Sequence, residues 1–359
     1  MRTRYRIAVA LVAAALVLAA LAGLLLRRAP GERLYRVTIL PTLGGQLTTP
    51  TAINNRGQIA GYSETADGRC WLCLWDPNGR IQVLGPAVRT RYYLNDAGQI
   101  AGTMLGPGGN ETAFLWDRAQ GVRWLGTLGG GKSMARAVNN RGQVVGWSLT
   151  AEGRRHAFVW DPTMGMQDVD PSQREGTAQT INDSGLIIVD GQEGPSLWTA
   201  DGPTRLAALT FGMVGFSDMN ARGYTACEGL DSSRGKFLVL WRHGATQRRL
   251  FLLEHPIEQW PMINDANQIL LAEWHRRPLE GITAGRVLAS PIENYLWDPN
   301  RGRIRLDVQV PVKKSETLEL FDLNNRGCLV GRITGRKWTG GITSVRPVLL
   351  EPIPERWRK

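Results

Sequence analysis

The stretch Asn139-Asn140-Arg141-Gly142-Gln143-Val144 is one of seven copies of a turn motif, in which Gly follows Asn by three positions and apolar residues come next. An Asn side chain can accept a backbone hydrogen bond from two residues on, and Gly can take the left-handed conformation that a tight hairpin demands. In the sixth copy Asn267 replaces Gly, and Asn is the next-best residue for a positive φ. The markers of the copies are Asn54 with Gly57, Asn95 with Gly98, Asn139 with Gly142, Asn182 with Gly185, Asn220 with Gly223, Asn264, and Asn324 with Gly327.

The copies recur with a nearly constant period. Successive Asn markers are 41, 44, 43, 38, 44 and 60 positions apart, and a period of about 40–45 residues with strand-like units is typical of β-propeller blades. An apolar residue followed by Trp forms a second marker, typically about 21 residues after the Asn. A buried Trp provides a large apolar contact, so we expect these side chains to pack between blades. The Trp markers are Trp75, Trp116, Trp160, Trp198, Trp241 and Trp297.

Each unit divides into four short strands. In the first unit these are Pro50–Ile53, Gln58–Ser63, Trp71–Asp76 and Arg80–Leu84, and four strands are the unit of a propeller blade. The sequence therefore predicts an all-β fold at residues 34–351, a seven-bladed β-propeller of four-stranded antiparallel blades.

The two ends of the propeller region are each incomplete. The seventh unit stops after Val348-Leu349-Leu350 without a fourth strand, whereas residues 34–40 form a strand that precedes the first unit. Pairing these two ends would protect the exposed edges of both. We therefore predict that residues 34–40 supply the fourth strand of blade seven and close the ring non-covalently.

An apolar segment precedes the propeller. Residues 7–26 carry no charge, and as a transmembrane helix they would cross a hydrocarbon core of about 30 Å. We expect an uncleaved signal-anchor between a short basic cytoplasmic tail at 1–6 and a linker at 27–33. The alternative is cleavage near Ala20-Leu21-Ala22, which would give a secreted protein. The predicted location is the cell membrane, crossed once, with the propeller facing the periplasm or the exterior.

The formal net charge of the chain is +11. The excess positive charge is spread along the chain and includes a basic tail at 352–359. A nucleic-acid binder usually concentrates its charge on one helix or stripe, so we expect no nucleic-acid partner. Attraction to anionic envelope polymers or lipid head groups is permitted by this charge. The five positive residues that flank the apolar segment are Arg2, Arg4, Arg6, Arg27 and Arg28.

The third unit carries the most complete pattern. It has Leu125-Gly126-Thr127-Leu128-Gly129-Gly130 before the turn motif and His156-Ala157-Phe158-Val159-Trp160 after it. This pattern resembles the HAF repeat, named for its His-Ala-Phe triplet, of a family of extracellular repeat proteins. The resemblance is strongest over about residues 40–170 and weak in units four to seven. It implies a secreted or surface-exposed repeat protein, and it supplies no reaction, ligand or catalytic residue.

The sequence shows no catalytic or metal-binding motif. Cys70 and Cys73 form a C-x-x-C pair, but residues three apart in a strand point to opposite faces. Cys73 occupies the slot that Phe158 holds in the third unit, so we expect it in the core. The His residues lack the spacing of metal ligands. We therefore expect no cofactor, no metal and no catalytic residue.

Two loops form the predicted binding site. Unit six carries an insertion between its second and third strands, at about residues 273–293, and unit seven has an aromatic and basic cluster in the equivalent connection. Loops on a rigid ring commonly carry binding residues, and aromatic with cationic groups suit an anionic glycan or a similar polymer. A tolerated surface insertion is the alternative. The predicted binding residues are Trp274, His275, Arg276, Arg277, Arg336, Lys337 and Trp338.

Three functions remain open from the sequence. The leading hypothesis is a membrane-anchored, non-enzymatic binding or interaction module whose partner is an anionic glycan, an envelope polymer or another protein. The second is an enzyme that acts on an envelope or extracellular polymer at the mouth of the propeller channel, and the third is a purely structural surface protein. Paired carboxylates in the channel would favour the enzyme, whereas a channel lined by Gly, Ala and Asn would disfavour it.

Overall fold

The described residues form seven four-stranded antiparallel sheets, which are the blades of a propeller. This architecture confirms the predicted all-β, seven-bladed fold. The first six blades each use four consecutive strands, and the seventh combines three C-terminal strands with the N-terminal one. The computed structural model describes residues 34–354 with gaps at 171–174, 193, 200–201, 206–211, 231–234, 243–247, 254–256, 275–291, 314 and 337–340.

The first strand of each of these blades lines the central channel, and the others follow outward. After β1 (Tyr35–Ile39), blades one to three comprise β2 (Gly44–Ile53), β3 (Ile59–Thr65), β4 (Cys70–Trp75), β5 (Ile81–Pro86); β6 (Tyr93–Leu94), β7 (Ile100–Leu105), β8 (Glu111–Asp117), β9 (Gly121–Gly126); β10 (Gly129–Val138), β11 (Val144–Thr150), β12 (Arg155–Asp161) and β13 (Gly165–Asp168). Blades four to six comprise β14 (Gly176–Ile181), β15 (Ile187–Gly191), β16 (Gly194–Thr199), β17 (Gly202–Arg205); β18 (Gly212–Met219), β19 (Tyr224–Leu230), β20 (Lys236–Arg242), β21 (Arg248–Leu252); β22 (Ile257–Ile263), β23 (Ile269–Trp274), β24 (Ile292–Asp298) and β25 (Gly302–Arg305). Blade seven comprises β26 (Glu316–Leu323), β27 (Leu329–Arg336), β28 (Ile342–Pro352) and β1.

The repeated motif forms the turn between the first two strands of a blade. In blade one, Oδ1 of Asn54 accepts hydrogen bonds from the backbone N–H groups of Arg56 (3.1 Å) and Gln58 (2.9 Å). Gly57 of the same turn has a φ of 80°. In the sixth copy Asn267 has a φ of 59°, the one positive value among the described residues other than Gly. The fourth position of the motif therefore needs a left-handed backbone, as the sequence predicts.

The Trp markers lie on the third strand of each of the first six blades. Trp75 is fully buried, and its indole N–H donates to the backbone carbonyl of Pro41 (2.9 Å). Its apolar cluster contains Cys73 and also Val330 of blade seven, so it joins two neighbouring blades. Trp198 is the more exposed exception. The other buried markers are Trp116, Trp160, Trp241 and Trp297.

Strand β1 closes the ring by pairing antiparallel with β28. The register places Tyr35 opposite Pro352, and the backbone N–H of Ile353 donates to the carbonyl of Leu34 (2.8 Å). Tyr35 and Leu40 are buried in the apolar clusters of the closing blades. The N-terminal strand is therefore part of the core, as the two incomplete ends of the sequence predict.

The predicted signal-anchor at residues 7–26 lies outside the described residues. Across the described ranges between 34 and 354, the structure contains no helix long and apolar enough to span a bilayer. The membrane segment therefore stays a prediction from the sequence.

Candidate binding site in the central channel

The inner strands surround a cavity of about 300 Å³ at the centre of the propeller. All seven blades contribute residues from the end of the first strand and from the turn that follows. Shifts in the strand register leave Thr51, Arg136 and Gln179 as bulged residues in blades one, three and four. A β-bulge re-aims a side chain, and these three residues line the cavity.

The motif Asn side chains form a ring around the channel, which we call the Asn ring. Asn139 shows the pattern: Nδ2 donates to Oε1 of Gln143 (2.8 Å) in its own blade and to the carbonyl of Asn182 (3.1 Å) in the next blade. Oδ1 accepts two backbone N–H groups of its own turn. Each such Asn therefore shapes a turn and fastens its blade to the next. The same inter-blade bond runs, at 2.8–3.1 Å, from Asn54 to Asn95, Asn95 to Asn139, Asn220 to Asn264, Asn264 to Asn324 and Asn324 to Asn54.

The residues that follow the Asn ring in sequence form a second ring, which we call the mixed ring. Asn140 is typical: its Oδ1 accepts the backbone N–H of Asp96 (2.7 Å), and its Nδ2 donates to Oδ2 of Asp183 (2.8 Å). In the same way, Oδ1 of six members accepts the backbone N–H of the member in the preceding blade, so these side chains link neighbouring blades. The mixed ring consists of Asn55, Asp96, Asn140, Asp183, Ala221, Asp265 and Asn325.

Both rings are interrupted at one place, the seam between blades four and five. Among the described residues, Nδ2 of Asn182 has no hydrogen-bond partner, although the residue is only 4% exposed. Within the described ranges, the backbone N–H of Asp183 also makes no hydrogen bond to the side chain of Ala221, because Ala has no side-chain oxygen to accept one. Leu186 stands where four other copies carry a Gln. The two blades instead meet in an apolar cluster that includes Trp241.

Two carboxyl groups line the channel at the position two residues before the motif Asn. Asp218 of blade five accepts a hydrogen bond from the backbone N–H of Ile263 in blade six (3.1 Å). Asp322 of blade seven accepts one from the backbone N–H of Ile53 in blade one (2.8 Å). Each carboxyl also accepts the N–H of the residue that follows it. Both groups therefore act as links between neighbouring blades.

Burial raises the pKa of both carboxyl groups. For Asp322 burial raises the pKa to about 7, although the Arg91 guanidinium and the N–H of Ile53 lower it, and the nearby Asp218 charge adds to the increase. For Asp218 burial also raises the pKa, against hydrogen bonds from Ile263 and from the hydroxyl of Thr180 and against the charge of Arg91. Asp322 is consequently a mixture of protonated and ionised forms near neutral pH.

Arg91 enters the channel from blade two. Its Nη2 donates to the carbonyl of Phe321 in blade seven (2.9 Å) and lies 3.2 Å from the sulfur of Met262 in blade six. Its charge acts on both Asp218 and Asp322. Arg91, Asp218 and Asp322 are thus three charged groups of the channel wall that each bond to the backbone of another blade.

The raised pKa of Asp322 predicts how stability depends on pH. The folded protein keeps this proton up to about pH 7, whereas the unfolded chain releases it near pH 3.8. The group should therefore lower the free energy of unfolding as pH rises from about 4 to about 7, by at most about 1.4 kcal/mol per pH unit. We expect Asp322→Asn to reduce this slope in urea titrations over that range. A slope equal to that of the wild type would contradict the assignment.

A buried His-Asp pair lies outside the channel, in blade three. Nδ1 of His156 and Oδ2 of Asp168 are 2.8 Å apart, and Nε2 has no hydrogen-bond partner among the described residues. Ser148, opposite His156 on β11, accepts the N–H of Leu128 (2.9 Å) with its hydroxyl oxygen. Because Ser148 is fully buried and engaged with backbone, we assign no reaction to this pair.

The predicted loop site falls largely outside the described residues. His275, Arg276, Arg277, Lys337 and Trp338 are not among them. Chain order places both loops between the second and third strands of their blades, after β23 and β27. For Trp274 and Arg336, which end those strands, the structure describes the backbone alone. The loop site therefore stays a prediction.

Asp218, Asp322 and Arg91 were not predicted as channel residues from the sequence. A signal for the two acids was present at the position two residues before each motif Asn, where only blades five and seven carry a carboxylate. Arg91 left no such signal, because its contact with blades six and seven depends on the width of the channel. In blade order the residues at that position are Ala52, Tyr93, Ala137, Thr180, Asp218, Met262 and Asp322.

No family model and no curated protein sequence matches the chain. Among solved structures it is similar to TolB from Acinetobacter baumannii (TM-score 0.42, 14% identity), over 82% of this chain and 63% of that one. It is also similar to the acylaminoacyl peptidase of Pyrococcus horikoshii (TM-score 0.53, 10% identity), over 85% of this chain and 52% of that one. A third similar structure is a chain of a mitotic checkpoint complex (TM-score 0.50, 13% identity), with 91% and 96% covered. The chain thus spans about half the length of the peptidase, and identities this low show the β-propeller fold alone.

Proposed function

We propose that this chain is a non-enzymatic binding module that acts outside the cytoplasm, held at the membrane by residues 7–26. The uncharged apolar run and the resemblance of the third unit to HAF repeats support this location. One observation carries the binding role: the channel cavity of about 300 Å³ is lined by hydrogen-bonding groups from all seven blades. This volume is at the lower end for ligand pockets, so we propose that it takes one polar group of a larger ligand.

The bonding of the channel carboxyl groups favours binding over catalysis. Asp218 and Asp322 each accept two backbone N–H groups, one of them from the neighbouring blade. A general base must be within reach of the proton that it removes, and these hydrogen bonds hold both carboxyl groups against the channel wall. Their positions therefore suit a rigid ring that presents a fixed polar surface to a ligand.

The charges of the cavity lining indicate what the channel should take. An anionic polymer would be repelled by the excess of carboxyl groups over guanidinium groups, since like charges in a cleft lower the local concentration of a ligand. We therefore propose that an uncharged polar group binds in the channel, and that any anionic polymer binds at the predicted loop site, which consists of Trp274, His275, Arg276, Arg277, Arg336, Lys337 and Trp338. The charged lining residues are Asp96, Asp183, Asp218, Asp265, Asp322, Arg91 and Arg136.

A variant that fills the channel tests this proposal. Ala137 lines the cavity, and the equivalent position in blade two is Tyr93, so the repeat tolerates Tyr there. We expect Ala137→Tyr to weaken binding at least about 10-fold, because a phenol ring would occupy much of the cavity. The measurement is a binding screen of the full chain against envelope polysaccharides, peptides and envelope fractions. Ala119→Tyr, in an exposed outer turn, is the matched control.

The outcomes of this screen are separable. Equal binding by wild type and Ala137→Tyr would show that the ligand does not use the channel. No binding by the wild type to any fraction would contradict the binding module itself. Reduced binding by Ala119→Tyr as well would point to a general loss of folding, which circular dichroism would reveal.

An enzyme is the second candidate, and Asp322 favours it. Its pKa of about 7, with Asp218 and Arg91 beside it in the cavity, is typical of a group that exchanges protons in a reaction. The screen therefore includes analysis of each bound polymer for cleavage products. Products that form with the wild type and disappear with Asp322→Asn would support the enzyme over the binding module.

A further inference from the structure

The seam between blades four and five leaves hydrogen-bonding groups unused in the wall of the channel cavity. Asn182 and Asp183 both line the cavity. Nδ2 of Asn182 is buried, and neither it nor the backbone N–H of Asp183 meets an acceptor from blade five among the described residues. Donors without acceptors destabilise a wall, so an acceptor supplied from the channel to the N–H of Asp183 would stabilise this seam.

The mixed ring shows what kind of group fits the gap. At Asn140 a carboxamide sits between two carboxylates: it accepts the N–H of Asp96 and donates to Asp183. The gap at Ala221 has the same neighbours, because Asp183 lies on one side and Asp265 on the other. Asp265 already accepts the backbone N–H of Ala221 through Oδ1 (2.8 Å), which fixes its carboxylate at the edge of the gap.

A carboxylate in this gap would be repelled by the carboxylates of Asp183 and Asp265. A carboxamide can accept a hydrogen bond on one side of the gap and donate one on the other. Its oxygen would accept from Asp183 N–H, as Asn140 accepts from Asp96, and its NH₂ group would donate to Asp265. A primary amide carries the oxygen and both N–H groups on one carbon, as the Asn side chain does. A secondary trans amide points its oxygen and its N–H in opposite directions and cannot reproduce the side chain of Asn140.

We propose that the gap beside Ala221 is a binding subsite for a primary carboxamide group of the ligand, which completes the mixed ring between blades four and five. This inference rests on the proposed binding function of the channel and names the chemistry that one part of it recognises. Asp183 and Asp265 are the residues that contact the carboxamide, and Asn182 is the neighbour of Asp183 in sequence and in the channel wall.

The experiment titrates the solubilised full chain, labelled with ¹⁵N-asparagine and ¹⁵N-aspartate, with acetamide and separately with acetate. We expect acetamide to shift the side-chain NH₂ signal of Asn182 and the backbone signal of Asp183 in a saturable way, and acetate to shift neither. Asn182→Asp identifies the NH₂ signal by removing it. In Ala221→Asn the new side chain fills the gap, so the acetamide response should be lost.

The control variant is Ala97→Asn, which adds the same side chain one position later in the blade-two turn. It should respond to acetamide as the wild type does. Unmoved signals in the wild type, an equal response to acetate, or an equal response in Ala221→Asn would each overturn the subsite. If acetamide does not bind but Ala137→Tyr still weakens polymer binding, the subsite is wrong and the proposed function stands. If acetamide binds but Ala137→Tyr binds the polymer as the wild type does, the subsite stands and the proposed binding of the polymer in the channel is wrong.

Discussion

Replacing Asn139 by Asp should lower the free energy of unfolding by about 3–5 kcal/mol. The change keeps the shape of the side chain and the acceptor atom that shapes the turn. It replaces Nδ2, which donates to Gln143 (2.8 Å) and to the carbonyl of Asn182 (3.1 Å), by a second oxygen. Two oxygens would then face each other across the boundary between blades three and four, and a charge would be buried there. Urea denaturation at pH 8, well above the ordinary pKa of a carboxyl group, measures the loss.

The same substitution at Asn182 is the matched control. Its Oδ1 accepts the N–H groups of Ser184 (3.1 Å) and Leu186 (3.0 Å), and its Nδ2 donates no hydrogen bond within the described residues. We therefore expect Asn182→Asp to cost less than about 2 kcal/mol, which is mainly the desolvation of the new carboxylate. Equal losses for the two variants would show that the inter-blade bond of the Asn ring contributes little to stability.

Removing residues 1–40 should lower the thermal midpoint by more than about 10 °C and promote aggregation, whereas removing residues 1–33 should change it little. The longer truncation deletes β1, which pairs with β28 over five residues. It also removes the buried side chains of Tyr35 and Leu40, each worth about 1.5–3 kcal/mol, and one kcal/mol shifts the midpoint of a large domain by about 2–4 °C. The exposed edge of β28 would then be available for pairing with other molecules.

A synthetic peptide of residues 34–40 serves as the test of mechanism. When the peptide is added to the protein that lacks residues 1–40, it should raise the thermal midpoint part of the way to the wild-type value. We expect this because the closing strand is held by hydrogen bonds and packing alone. A scrambled peptide should not. A truncation of residues 1–40 that melts at the temperature of the wild type would contradict the closing role of this strand.

Much of the fold followed from the sequence because its main determinants are local. A turn that needs a positive φ leaves Gly or Asn at a fixed position, and Asn267 revealed that requirement by replacing Gly without changing the backbone. The predicted strand Gln58–Ser63 differs from the observed Ile59–Thr65 by one or two residues at each end. The closing strand was predictable because the seventh unit lacks a fourth strand, whereas residues 34–40 form a strand that belongs to no other unit.

The inter-blade bonds were not predictable in the same way. The sequence indicates that Asn54 shapes its own turn, but its bond to the carbonyl of Asn95 (3.0 Å) joins residues in two different repeats. Such a bond depends on how closely consecutive blades pack, which no single motif specifies. The seam between blades four and five could have been suspected from Ala221 and Leu186, the residues that depart from the motif there. Its consequence for Asn182 required the geometry of the channel.

The closure also determines how the chain could be rearranged. Leu34 and Ile353 are joined by a backbone hydrogen bond (2.8 Å), so the two ends of the propeller are neighbours in space. The chain therefore forms a closed ring with one break, between its two ends, and seven similar units do not require the break at that position. A short bridge across it, with new termini opened at the exposed turn around Asp67, would give a circular permutant with the same arrangement of blades.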